Sequence, residues 1–319
     1  WKTGAEAAGK TAQKAIKARM MLKFVEPGPY LRERTTLRLG GRALAEVVVS
    51  REEDLPELPG LLKKLGAAPF VLGRGSNILA QDQDLPLALV TVDLGFAPAV
   101  IEDRGGEKLA RVGANQPLPG FLAWCAKNGL GGLEGLAGIP GTVGGAVAMN
   151  AGSYGCEIGS RLFAVRVFNP EKGLQTLPAS ELSLGYRHFS PCPPGGLAPG
   201  WFVVVEAWFI LTCAEPAGIK AAMDENLRKK AATQPISAAS AGCVFKNPAP
   251  GVSAGKLLDE AGFKGKRLGD MLFSDLHANF LLNAGKGSSV QAMELLHEAI
   301  AHVYSNSGYK LEYEVKVLV

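Results

Sequence analysis

Glycine recurs at every third position from Gly129 through Gly132, Gly135, Gly138 and Gly141 to Gly144. Collagen also spaces glycine by three, but a triple helix needs many more repeats and far more proline. Here the run is short and embedded in a globular pattern. A helical stretch, Leu118–Lys127, precedes it, and strands follow at 163–168 and 201–211. Within the run lies Gly138-Ile139-Pro140-Gly141-Thr142-Val143-Gly144-Gly145-Ala146. Such main chain either makes a tight turn feeding a buried strand or lets a flat, anionic ligand come close to the backbone.

A second glycine cluster, Gly73-Arg74-Gly75-Ser76-Asn77, follows a short strand at Pro69–Leu72. Two glycines permit the positive φ angles that turn successive N–H groups inward as an anion-binding nest, and Ser76 and Asn77 add side-chain donors. The segment is not a P-loop, because the Gly-Lys-Ser/Thr ending is missing. Nor is it a Rossmann fingerprint, because Ile78 stands where the third glycine belongs. Alone, either cluster is as well explained by a turn. Together, in successive regions, they favour a long ligand lying between them, such as a diphosphate with an aromatic ring at one end.

Around these loops the chain divides into an N-terminal extension, 1–20, and three regions, 21–95, 96–213 and 214–319. In the first, Ala45–Ser50 and Ala88–Val92 read as strands. Glu52–Leu65 reads as a helix with Leu55, Leu58, Leu62 and Leu65 on one face. The second adds strands at 98–102 and 108–113. The third holds helices at Ile219–Ala231 and Ser289–Tyr304, the latter with Val290, Met293, Leu296, Ile300 and Val303 on one face. It ends in an alternating strand, Leu311–Val319, that carries Glu312 and Glu314.

Composition removes several function classes. The net charge of +4 arises from the first 20 residues, and the remainder carries 29 basic and 29 acidic groups. A neutral body offers no electrostatic footprint for nucleic acid. Five scattered cysteines, never in a C-x-x-C pair, argue against a disulfide framework or a zinc site. Reduced thiols and the lack of a secretory signal or membrane-spanning run suggest a cytoplasmic protein. No obligate protein partner and no metal are expected.

Longer motifs are more specific. Thr35-Thr36-Leu37-Arg38-Leu39-Gly40-Gly41, Leu72–Leu79, Gly132–Gly155, Gly185-Tyr186-Arg187, Ser240–Glu260 continuing to His277-Ala278-Asn279, and Leu311-Glu312-Tyr313-Glu314-Val315 together span about residues 30 to 319. In these stretches the chain resembles the MurB family, the UDP-N-acetylenolpyruvoylglucosamine reductases, in its compact type II branch. The resemblance implies an α+β chain: a two-domain FAD-binding fold of the MurB/PCMH flavoprotein type followed by a C-terminal α/β substrate domain. It also implies noncovalent FAD, NADPH as hydride donor, and a UDP-sugar substrate whose enolpyruvyl group is reduced in peptidoglycan precursor synthesis.

By the same resemblance Arg187, Cys243 and Glu314 are the catalytic candidates. A guanidinium can hold a carboxylate through two parallel hydrogen bonds and stabilise a developing enolate. Glu314, if neutral, could donate to that carboxylate; if ionised, it could orient Arg187. Cys243 stands where the family usually has serine as proton donor. With a reference pKa near 8.5 a thiol is a competent acid. If exposed it should be open to alkylation, and protonation by it should weaken as it ionises at high pH. Gly73, Arg74, Gly75, Ser76, Asn77, Ile139, Pro140, Gly141, Thr142, Gly144, Gly145, Ala146, Asn150 and Gly152 are the FAD-binding candidates, and Tyr154 could touch the flavin as well. For the substrate the candidates are Lys246, Asn247, Lys229, His277 and Asn279, with Arg228 and Lys230 also available to a diphosphate. Two other classes stay open: an FAD oxidase or dehydrogenase of the same fold acting on a hydroxy acid or sugar, and a non-enzymatic flavin-binding module.

Overall fold

Along Ala43–Val49 every second side chain is fully buried, the period expected of a strand with one face on a core. In the computed structural model, which describes residues 22–196 and 200–319, this strand lies inside a four-stranded sheet. The order is Lys23–Val25, Ala43–Val49, Leu85–Val92, Ala68–Val71. The last three are mutually parallel, and the first is antiparallel to its neighbour. The extension read at 1–20 lies outside the described residues.

Six α-helices occur among the described residues: α1 Leu58–Leu65, α2 Leu118–Lys127, α3 Val143–Ala148, α4 Pro216–Thr233, α5 Ala254–Glu260 and α6 Ser289–Ser307. The single helix expected over Glu52–Leu65 is divided. Glu52–Glu57 is 3-10 and α1 begins only at Leu58, because Pro56 has no N–H to continue an α-helical ladder. The glycine loop at 138–146 leads into α3, not into a strand. Thr142 caps that helix, its Oγ1 accepting from the Gly145 N–H at 3.2 Å.

The second sheet is antiparallel, in the order Gly173–Pro178, Leu162–Asn169, Val203–Cys213, Glu107–Gly113, Ala99–Asp103. Phe168, Val203 and Val205 from it pack into the core of the first sheet and α1, so the first two units share a buried seam. An ion-pair chain crosses it: Glu52 pairs with Arg166 at 2.5 Å, and Arg166 with the buried Glu206 at 3.4 Å.

The third sheet, Ser240–Cys243, Phe280–Asn283, Met271–Phe273, Arg267–Leu268, is antiparallel and packs against α6. Ala292, Leu295, Leu296, Ala299 and Val303 form the buried face of α6, while Val290 is exposed. The apolar stripe was therefore read about one residue off at its start. Phe245 and Phe263 are fully buried in this core, each stabilising the fold by about 2–3 kcal/mol.

Two elements cross the sequence boundaries. Helix α4, at the head of the third region, packs on α2 and on the 3-10 turn Glu134–Leu136 of the second. At the far end, the strand expected over Leu311–Val319 is shortened to Lys316–Leu318 and pairs in parallel with Ile78–Ala80. Ile78–Ala80 is a strand that the sequence reading does not predict. Leu37, Leu39 and Leu79 join the third core from the first region. The C-terminal unit is thereby pinned against the segment that follows the first glycine loop.

Candidate active site

The two glycine loops touch. Ser76 Oγ donates to the Pro140 carbonyl at 3.1 Å. A Cβ on Gly73 would fall 2.6 Å from Thr142 Oγ1. Only one of the two glycines of the first loop is left-handed, Gly75 at φ +63°. Its Cβ would meet the Arg34 carbonyl at 2.2 Å, so glycine is required there by close packing as well as by φ. The double-glycine nest is thus half realised. In the second loop Gly138 and Gly141 are left-handed. Gly73, Gly138 and Gly145 are exposed and present bare main chain on the two touching loops. A long, flat, anionic group such as FAD fits this donor set: amide N–H groups, a hydroxyl, and little side-chain bulk.

Arg187 occupies the tight turn of the hairpin Ser183–Gly185 and His188–Ser190, whose last pair is Gly185 with His188. Its φ is +53°, an uncommon conformation for a residue with a side chain. That backbone aims the guanidinium inward. Nε donates to Glu314 Oε1 at 2.5 Å and Nη2 to the Gly152 carbonyl at 3.1 Å. The guanidinium carbon lies 5.0 Å from the Tyr186 ring centre.

Glu314 is held from both sides. Its N–H donates to the Val244 carbonyl at 2.9 Å, and its own carbonyl accepts from Asn77 Nδ2 at 3.1 Å. Asn77, expected to bind cofactor, therefore spends its amide on the main chain of Glu314. Cys243 lies one residue from Val244, at the end of its strand, just after the left-handed Gly242.

The three groups sense one another. Burial, then the Glu314 carboxylate, push the Cys243 thiol up to about 12, against the pull of Arg187. Burial also raises the Glu314 carboxyl, outweighing Arg187 and Lys246. For Arg187, burial works against the charge, but Glu314 outweighs it and the net direction is upward. An exposed ion pair would move its two members apart; here both move up. The guanidinium is charged at every working pH, so the informative direction is that of Glu314. Its carboxyl loses more hydration than Arg187 restores, and it accepts a proton more readily than a surface glutamate.

Other candidates brace the site. Asn279 is buried, accepts from the Phe245 N–H at 3.0 Å and donates to the Phe245 carbonyl at 2.8 Å. His277 Nδ1 accepts from the Asn279 N–H, and its ring packs edge-on against Phe280. Asn247 Oδ1 accepts from the Ala254 N–H at the start of α5. Asn150 is buried; its amide donates to Glu157 and to the Gly185 carbonyl, and its oxygen accepts from Gly159. These side chains are occupied by protein groups and shape the loops around Arg187 and Cys243. Asn279→Ala would leave both Phe245 main-chain groups unpartnered, an expected loss of about 2–4 kcal/mol. Denaturant unfolding checks this; an unchanged midpoint would remove the bracing role.

Lys229 points to solvent and pairs with Glu225 at 2.8 Å. Arg228 is exposed beside it. Lys230, one residue on, is the buried lysine of α4. Lys246 is half-buried and only loosely paired with Glu312, at 3.9 Å. The site also includes Tyr186, whose hydroxyl accepts from the Asn247 N–H at 3.4 Å. Its place beside Arg187 in Gly185-Tyr186-Arg187 was the available signal. A surface cleft of about 730 Å³, lined by Gln81, Asp82, Ser289, Val290 and Met293, shares no residue with this site. Among the described residues no cluster of His, Cys, Asp or Glu could hold a metal, and no helix is long and apolar enough to cross a membrane.

Two family models match the chain. One, an FAD binding domain, covers residues 43–176 and includes both glycine loops. The other is the C-terminal domain of UDP-N-acetylenolpyruvoylglucosamine reductase, over residues 234–318. The UDP-N-acetylenolpyruvoylglucosamine reductase of Nitratidesulfovibrio vulgaris is 54% identical over 93% of this chain and 99% of its own length.

The chain belongs to the UDP-N-acetylenolpyruvoylglucosamine reductase family.

The reductase of Oleidesulfovibrio alaskensis is 50% identical over 93% of this chain and 99% of its own. The crystal structure of the Thermus caldophilus reductase (MurB) superposes with a TM-score of 0.74 at 36% identity, covering 94% of this chain and all of that one. The C-terminal family match begins at residue 234, just past the end of α4 at Thr233. That boundary agrees with the packing of α4 on the second unit. The same match contains Cys243 and Glu314, whereas Arg187 falls between the two family matches.

Proposed function

We propose that this protein reduces the enolpyruvyl group of UDP-N-acetylglucosamine enolpyruvate to give UDP-N-acetylmuramate in peptidoglycan precursor synthesis, with FAD as cofactor and NADPH as hydride donor. The observation that carries the reading is the convergence of Arg187, Glu314 and Cys243 beside two touching glycine loops. Gly73, Arg74, Gly75, Ser76, Ile139, Pro140, Gly141, Gly144, Gly145 and Ala146 would hold FAD along those loops. FAD, when bound, supplies hydride to the methylene carbon of the vinyl ether.

The protein's own task is to manage the charge that follows. Negative charge builds on the adjacent carbon and spreads into the substrate carboxylate. Arg187 spends its Nε edge on Glu314 and one Nη2 hydrogen on Gly152. Its remaining N–H groups are available to grip the carboxylate in a fork. Glu314 fixes the orientation of that fork. The Cys243 thiol, protonated at every working pH, donates the proton that completes the reduction. Lys246, lightly paired, serves the anionic part of the sugar nucleotide. All five cysteines are free, which supports a reducing, cytoplasmic setting.

A visible absorption spectrum tests this directly. The purified protein should show a flavin band that bleaches on anaerobic addition of NADPH and returns on addition of the enolpyruvyl sugar nucleotide. Bleaching by a hydroxy acid or sugar, with recovery only in air, would replace this reading with an oxidase. Binding without bleaching would make the chain a flavin carrier.

A further inference from the structure

Helix α4 carries a lysine where a hydrophobic residue would be expected. Lys230 is only 3% exposed, and among the described residues no carboxylate pairs with it. Burial lowers its pKa to about 8. An ammonium in such a place is costly unless its hydrogens are used, and a methionine would fill similar space without that cost.

The hydrogens are used on one structure. Nζ donates to the Gly135 carbonyl at 3.1 Å and to the Ala137 carbonyl. Gly135 lies in the 3-10 turn that leads into the second glycine loop, and Ala137 caps its end. The turn's own amides satisfy the Leu133, Glu134 and Leu136 carbonyls; those of Gly135 and Ala137 are taken by Lys230. Asn226, one helical turn earlier on α4, donates to the Glu134 carbonyl at 3.1 Å. Gly138 closes the contact: a Cβ there would lie 3.0 Å from Leu227 Cδ1 and 3.2 Å from Lys230 Cδ. On the far side the ammonium faces the Tyr154 ring at 5.5 Å.

We propose that Lys230 is a positioning residue for the flavin cradle, fastening the 134–138 turn so that the following loop is held ready for FAD. The inference rests on the assignment of loops 73–77 and 138–146 as that cradle. Lys230 spends its ammonium on the Gly135 and Ala137 carbonyls and is given no part in the chemistry. Its effect is on how well the loop is organised before the cofactor arrives. Two charge-assisted hydrogen bonds to main-chain carbonyls hold the turn.

The test is FAD release from the holoprotein, followed by the rise of flavin fluorescence on dilution, for the parent, K230M, K230R and Gly145→Phe. Folding is checked by far-ultraviolet circular dichroism in excess FAD. K230M should remain folded and release FAD about tenfold faster or more, the loss expected for one to two charge-assisted bonds. K230R, which keeps the donors, should stay within about threefold of the parent. Gly145→Phe, which places a ring on the exposed loop, should lose FAD whatever residue stands at 230. Parent-like release by K230M, with loss in Gly145→Phe, would overturn the role of Lys230 alone. Parent-like release by both would overturn the cradle assignment. Failure of K230M to fold, or equal loss in K230M and K230R, would make the lysine a packing residue and overturn the proposal.

Discussion

Arg187→Ala is expected to leave NADPH bleaching of the flavin within about threefold of the parent. It should slow reoxidation by the enolpyruvyl sugar nucleotide by about 10²–10³-fold, the range found when one preorganised charge stabiliser is removed. The asymmetry follows from geometry. The guanidinium is anchored on Glu314 and Gly152 and, in the proposed mechanism, grips the substrate carboxylate, which gives it no task in the first half of the cycle. Removing it leaves Glu314 half-buried without its cation. Burial already raises that carboxyl, so it takes up a proton rather than remaining an unpaired charge, and the fold should survive. Arg187→Lys distinguishes a fork from a point charge: lysine restores the charge without the two parallel donors and should recover little of the rate. Stopped-flow absorbance of both half-reactions reads these outcomes. Equal slowing of the two halves would mean that Arg187 holds the flavin or the loops, not the substrate.

Cys243→Ala is expected to slow reoxidation by about 10²–10⁴-fold, the usual contribution of a positioned general acid, while Cys243→Ser retains most of it. The structure changes the pH dependence that the residue type alone suggests. A free thiol would ionise near pH 8.5 and lose its proton-donating ability there. Burial and Glu314 push this one up to about 12. A raised pKa means that the protonated, active form persists below it, so no loss from thiol ionisation should occur between about pH 7 and pH 10. The same shift removes the thiolate that alkylating reagents need, so iodoacetamide should inactivate slowly despite the cysteine's central place. Reoxidation rates measured across that range in the parent and in Cys243→Ser decide the matter. A descending limb near pH 8.5 in the parent that vanishes in the serine variant would show an ordinary, ionising thiol.

Much of the fold was legible because periodicity is local. Leu118–Lys127 matches α2 to the residue, and seven strands of the first two sheets lie within three residues of their predicted ranges, whereas Lys23–Val25 and Gly173–Pro178 were missed. Failures came where a local pattern had two solutions. Pro56 divided a leucine-rich stretch that otherwise scans as one helix, and Ile78–Ala80 was too short and too close to glycine to declare itself a strand. The grouping of Arg187, Cys243 and Glu314 was legible only through longer motifs, since nothing local connects the three. What sequence could not distinguish was the direction a polar side chain faces. Asn77, Asn150 and Asn279 all sit in site motifs, yet their amides are consumed by Glu314, Gly185 and Phe245. Among Arg228, Lys229 and Lys230, only helix phase against α2 and the 134–136 turn decides which one is buried.

The pairing of Lys316–Leu318 with Ile78–Ala80 also bears on how the protein is made. Synthesis runs from the N-terminus, so the ribosome has released both glycine loops and Arg187 long before it supplies the segment that seats Glu314. Until then the buried side chains of Ile78, Leu79 and Ala80 have an open edge beside them and the guanidinium has no carboxylate. The meeting of Arg187 with Glu314 therefore waits on the docking of Lys316–Leu318 against Ile78–Ala80.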